Sequence, residues 1–137
     1  MEEITISEIP DEIDTKDVMI DQGHCFINSY NVATKYNSVN IVEGIIIGSI
    51  KDRGVFKITP HVWNKKNEIH FDVTSEKVWK SSGKMIDSAE IKYVMVKIHN
   101  YNDFKDRKAF EFSDETNQRV EAFKTVYQEY GKNKNVD

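Results

Sequence analysis

A chain of 137 residues is one domain in length, and it is long enough to bury a core without disulfide or metal staples. A hydrophobic share of 39% with 31% charged residues argues against a disordered chain, and a net charge of -4 without a basic stripe disfavours nucleic acid as a partner. The single cysteine, Cys25, excludes an internal disulfide and fits a reducing compartment.

The N-terminal run MEEITISEIPDEID is acidic and has neither a basic n-region nor an apolar h-region, so it does not read as a secretion signal. Residues 1–21 read as a lead-in segment closed by a turn at Asp21-Gln22-Gly23. Residues 25–36 place Phe26, Tyr30 and Ala33 at helical spacing with Ile27 beside them, which predicts an amphipathic helix ended by Asn37-Ser38. Residues 39–48, VNIVEGIIIG, are β-branched and apolar and predict a buried strand. Their Ile45-Ile46-Ile47 is the longest apolar run, far short of a membrane span, and a cytoplasmic protein is expected. The abundance of Asn, Lys and Ile suggests an AT-rich genome, bacterial or phage.

After a turn at 51–54, residues 55–64 alternate, with Phe56, Ile58 and Val62 on one face and Lys57, Thr59, His61 and Trp63 on the other. Pro60 within this run predicts an edge position or a bend. Residues 68–74 alternate again, with His70, Asp72 and Thr74 sharing a face. A polar loop at 80–88, a strand at 91–98 and a loop at 100–109 follow. The final helix, 115–130, is capped near Ser113-Asp114, carries Val120, Phe123, Tyr127 and Tyr130 on one face, and is expected to stop at Gly131 before a frayed tail, 131–137. The expected fold is a single α+β domain: a helix bearing Cys25 on an antiparallel sheet of about four strands, and a C-terminal helix.

The chemistry concentrates in Cys25, His61 and Asp72. If the two middle strands form a hairpin around Lys66-Asn67, opposed residues have numbers summing to 133, and His61 faces Asp72 directly, at a Cβ separation of about 5 Å. A carboxylate so placed orients an imidazole. A cysteine at a helix start gains from the positive end of the helix dipole, which favours the nucleophilic thiolate. Cys25 is then the nucleophile, His61 the base and Asp72 its orienting acid, with the Cys25 backbone N–H and Gln22 as oxyanion donors and Trp63 shielding the site from water.

Other roles are open to these and neighbouring residues. His61, His70 and Asp72 on one face would also suit a metal. His24 is an alternative base, His99 falls past a strand end among solvated residues, and Glu43 is expected on a solvated face.

GHCFINSYNVA followed by HVWNKKNEIHFDVT resembles the core of the papain-like and transglutaminase-like superfamily, over roughly residues 22–75. That resemblance implies a Cys25–His61–Asp72 triad, no cofactor, and a protein or peptide substrate. Its chemistry is acyl transfer, most simply hydrolysis of an amide bond, with deamidation, cross-linking and acetyl transfer as variants. Gln22 stands closer to the cysteine than the glutamine of papain-like proteases, and the chain has no evident second lobe. From another class, a non-catalytic interaction protein, such as a phage-encoded inhibitor of a host protein, would have the same composition. The sequence does not bear on oligomeric state.

Overall fold

The computed structural model describes residues 2–16, 18, 24–50, 53–76, 89–104 and 110–135. In chain order these form β1 (Glu2–Ile4), β2 (Ile6–Ser7), α1 (Cys25–Lys35), β3 (Asn40–Ile50), β4 (Gly54–Lys66), β5 (Ile69–Phe71), β6 (Ala89–His99), a 3-10 turn at Tyr101–Asp103, and α2 (Asp114–Asn135). The expected loop at 80–88 lies outside the described residues.

The sheet has six strands in the order β1-β6-β3-β4-β5-β2 rather than about four, and it is mixed: β2 runs parallel to β5 while the other pairs are antiparallel. β1 and β2 are separated only by Thr5, so one short stretch of chain pairs with both ends of the row and curls the sheet round on itself. The lead-in expected at 1–21 therefore contributes strands. Each is two or three residues long, too short for alternation to declare itself in sequence.

β3 is largely apolar because both of its faces are covered, with Glu43 as its one buried charge. Inward, Val42 and Ile46 meet Trp63 and Tyr93, with Ile4, Ile6, Ile91 and Met95 packed against them. Outward, Ile41 and Val62 pack on Ala33 of α1 with Phe104, while Ile45, Ile47 and Val94 pack on Val120 of α2. Phe123 and Tyr127 extend that second contact, as the helical spacing predicts. The backbone of α2 continues through Gly131 to Asn135, so Gly131 does not end it.

Gly44 sits on the inner face opposite His61, beside a register shift between β3 and β6. A Cβ there would collide with the Val94 carbonyl and the Trp63 indole. Only glycine lets the indole lie against the strand at this point.

The β4–β5 hairpin closes through Asn67-Glu68, with Lys66 paired to Ile69 and Lys65 to His70. Opposed numbers therefore sum to 135, not 133. Asn67 takes φ 54, the left-handed conformation that a tight two-residue hairpin turn requires and that asparagine tolerates. Lys65 and Lys66, expected in the loop, belong to the strand. β5 ends at Phe71, and residues 73–76 form one turn of helix instead of continuing the expected strand to 74.

Candidate active site

A register error of two residues leaves every side chain on its expected face, so His61 and Asp72 both still point into the curl. They are no longer directly opposed. Asp72 instead swings in where the chain leaves β5, and its Oδ2 lies 2.8 Å from His61 Nε2. Its other oxygen, Oδ1, accepts from the Thr74 and Ser75 backbone N–H groups at 3.1 and 3.3 Å, capping the 73–76 turn. The Tyr93 hydroxyl donates to Oδ2 at 2.6 Å. Asp72 is fully buried and His61 is 4% exposed, so these bonds act where water does not compete.

The Cys25 thiol lies close enough to the His61 ring for each to shift the other's titration. Burial by itself raises the thiol pKa, but the His61 side chain, its charge and the Val62 backbone N–H outweigh it and bring Cys25 below its ordinary value. Burial pulls His61 down, yet the Asp72 charge and hydrogen bond, with a contribution from Cys25, raise it to about 10. Both shifts favour a thiolate paired with an imidazolium. Cys25 is also the first residue of α1, so its own N–H has no partner within the helix and the helix dipole favours its negative form.

α1 lies on the outer face of the sheet, whereas His61 points inward. They meet at the edge of β4, where β5 has already left. Val62 is the hinge of this meeting: its N–H reaches Cys25, and its carbonyl accepts from Ser29 Oγ at 3.4 Å. Asn64 Nδ2 donates to the Ser29 carbonyl at 3.0 Å, and Asn28 Nδ2 to Thr74 Oγ1 at 2.9 Å. These bonds tie the first turns of α1 to β4 and to the turn that presents Asp72.

The buried stripe of α1 is Asn28, Ser29, Val32 and Ala33. The expected stripe of Phe26 and Tyr30 is only half-buried, and Ile27 is 48% exposed. The shift puts Cys25 in line with the buried stripe, at spacings of three, four, seven and eight. Polar residues on an apolar helix face were the signal for Asn28 and Ser29. Tyr93 carried no such signal, because it comes from a strand with no sequence link to the hairpin.

Trp63 is wholly buried beside His61, with ring centroids 6.3 Å apart, and it walls the site from inside the curl. Its indole N–H donates to His70 Nδ1 at 2.9 Å, which leaves the His70 proton on Nε2. Burial, with Lys65 nearby, lowers the His70 pKa and keeps the ring neutral. Among the described residues no group of three or more His, Cys, Asp or Glu is placed to hold a metal ion. Gln22 lies outside the described residues. His24 precedes α1 on the surface and makes no side-chain cap.

Two expectations are overturned elsewhere. Glu43 is 1% exposed rather than solvated. It accepts from the Ser113 N–H at 2.8 Å, from Ser113 Oγ at 2.6 Å and from Thr116 Oγ1, and pairs with His99 Nε2 at 3.1 Å. His99 is therefore a hydrogen-bond partner of Glu43 at the end of β6, not a solvated residue. Burial opposes the charge on Glu43, but these four contacts overcome it and hold the carboxyl at about 2. Among the described residues no helix is long and apolar enough to cross a membrane. No family model, curated protein or solved structure matches this chain.

Proposed function

We propose that this protein is a thiol-dependent acyl-transfer enzyme, in its simplest form a cysteine hydrolase acting on an amide bond. The observation that carries this reading is that one buried imidazole, bonded to a buried carboxylate, lies by the only thiol of the chain and lowers its pKa. The order Cys25, His61, Asp72 and the helix-borne thiol are what the papain-like and transglutaminase-like resemblance implies.

In this mechanism the Cys25 thiolate attacks the amide carbonyl carbon, and the developing oxyanion is met by the Cys25 N–H. The C–N bond breaks as the His61 imidazolium gives its proton to the departing amine, leaving a thioester. Neutral His61 then takes a proton from water, the resulting hydroxide attacks the thioester, and the acid leaves as Cys25 thiolate and His61 imidazolium are restored. Asp72 holds the ring throughout. An amine in place of water would give cross-linking from the same intermediate.

Iodoacetamide tests the resting state without a known substrate. At pH 6 an ordinary thiol is about 0.3% ionised. A preformed thiolate should therefore alkylate about tenfold or more faster, even after allowing for its weaker intrinsic nucleophilicity. Cys25 in the native protein should show this excess over the same protein unfolded in urea, and His61→Gln should remove it. Equal rates in folded and unfolded protein would defeat the proposal.

A further inference from the structure

β4 is paired on both sides only over part of its length. β3 accompanies it from Gly54 to Lys65, but β5 pairs only with Asn64, Lys65 and Lys66. Among the described residues, nothing continues the ladder beside Val62, Pro60 or Ile58.

The direction of the backbone groups follows from Val62. Its N–H and C=O both point away from β3, towards Cys25 and Ser29. In an antiparallel ladder this direction alternates residue by residue. Asn64 and Lys66 therefore turn the same groups to β5, while Pro60 and Ile58 turn theirs to the open side. Pro60 fits this placement, because the N–H it lacks would point outward rather than into the ladder with β3. Its carbonyl remains as an acceptor, contacted by Thr59 Oγ1 at 3.4 Å. Ile58 presents both a donor and an acceptor. Ile58, Thr59 and Pro60 are half-buried and Lys57 is exposed, so the edge is within reach of another chain.

The thiol stands in line with this edge. β5 leaves the sheet at Phe71 to deliver Asp72, and Cys25 takes up the Val62 N–H that a continued β5 would have used. Past Cys25, no described strand occupies that path beside Pro60 and Ile58, and α2 packs on the outer face of the sheet in the same cluster as Ile58.

We propose that this path is the substrate track: an extended polypeptide adds to the edge of β4 at Ile58–Pro60 and so brings a backbone carbonyl to Cys25. The substrate class is then a peptide in β conformation, recognised mainly through its main chain. The inference rests on the thiol reading above. Val62 to Ile58 spans about 13 Å of strand, the length of four extended residues, so recognition needs several residues on one side of the reacting carbonyl. The missing N–H at Pro60 leaves one main-chain carbonyl of the partner without a donor and thereby favours a single register.

An acetylated penta-alanine chloromethyl ketone tests this directly, since it forms a thioether with Cys25 as chloride leaves. Two analogues carry N-methyl groups on alternate amides, one set in each register. One analogue should label Cys25 about tenfold or more slowly, having lost the donors that face β4, and the other should label at the parent rate. Amide hydrogen exchange at Ile58 should slow in protein labelled by the parent reagent but not in protein treated with iodoacetamide. Equal labelling by both analogues, with unchanged exchange at Ile58, overturns the track. The iodoacetamide rate separates the two claims. Slow iodoacetamide labelling with Ile58 protected by the peptide supports the edge and defeats the thiolate. Fast iodoacetamide labelling without register dependence does the reverse.

Discussion

His61 and Cys25 shift in opposite directions, and together they give an unusual dependence of stability on pH. His61 rises from 6.5 to about 10 on folding, so taken alone it stabilises fully below about pH 6.5 and loses that contribution as pH climbs towards 10. Cys25 falls below its ordinary 9.0, so taken alone it adds stability as pH rises through its folded value. Once the folded thiol has ionised, and up to pH 9.0, the folded pair holds one proton, on the imidazole, and the unfolded chain also holds one, on the thiol, so the two slopes cancel. Cys25→Ser removes the cancellation, and its urea midpoint should keep falling as pH rises towards 9.0 while that of the unsubstituted protein levels off. Profiles that fall in parallel would mean that Cys25 does not ionise in the folded protein. The His61–Asp72 pairing was legible in sequence because face is a matter of parity, and parity survived a register error of two. The added Tyr93 bond was not, because nothing in a strand of valines and lysines marks which hydroxyl will find a carboxylate.

At the level of elements, the start of α2 is fastened to the sheet by a carboxylate, beyond the apolar packing of Val120, Phe123 and Tyr127. Glu43 reaches the first turn of α2 from the middle of β3 and satisfies Ser113 and Thr116 where the helix has donors to spare. His99 of β6 grips its other oxygen. Since folding holds Glu43 at about 2 instead of 4.5, its contribution is present above about pH 4.5 and is lost as pH falls towards 2. Glu43→Gln should flatten that acid limb and lower stability at pH 7 by about 2 kcal/mol, the usual scale for charge-assisted bonds. An acid limb as steep as before would place the titrating group elsewhere. A charged residue in a run of isoleucines reads most simply as a solvated position. What reversed that reading is a helix 70 residues further on, whose arrival opposite Glu43 is a tertiary event. The extent of α1 and the start of α2 were easier to read, because 3.6-residue spacing is a local property, whereas α2 ran on past its expected stop at Gly131. The buried stripe of α1 was misplaced by one position, since Phe26 and Tyr30 outweighed Asn28 and Ser29 in any count of hydrophobicity.

On the scale of the whole molecule, the curled sheet depends on how closely strands can approach around the Trp63 indole. Gly44→Ala puts a methyl group where the Val94 carbonyl and the indole already are, and the carbonyl is held in the ladder. Overpacking of this kind costs about 1–3 kcal/mol, and the upper end is expected because backbone is involved. Thermal unfolding of Gly44→Ala should show the loss, and combining it with Trp63→Phe should recover part of it. A neutral Gly44→Ala would show that Trp63 is not held against β3. The six-stranded curl itself was beyond the sequence because its closing pieces are β1 and β2, five paired residues in all. Those strands also impose an order on synthesis. The partners of Glu2, Glu3 and Ile4 are Met95, Val94 and Tyr93. As the chain leaves the ribosome, its first strand must wait unpaired until nearly all the others have emerged. Tyr93, which braces Asp72, arrives in that same late stretch. Closure of the sheet and completion of the Asp72 network therefore come at one moment, and a truncated product would have neither.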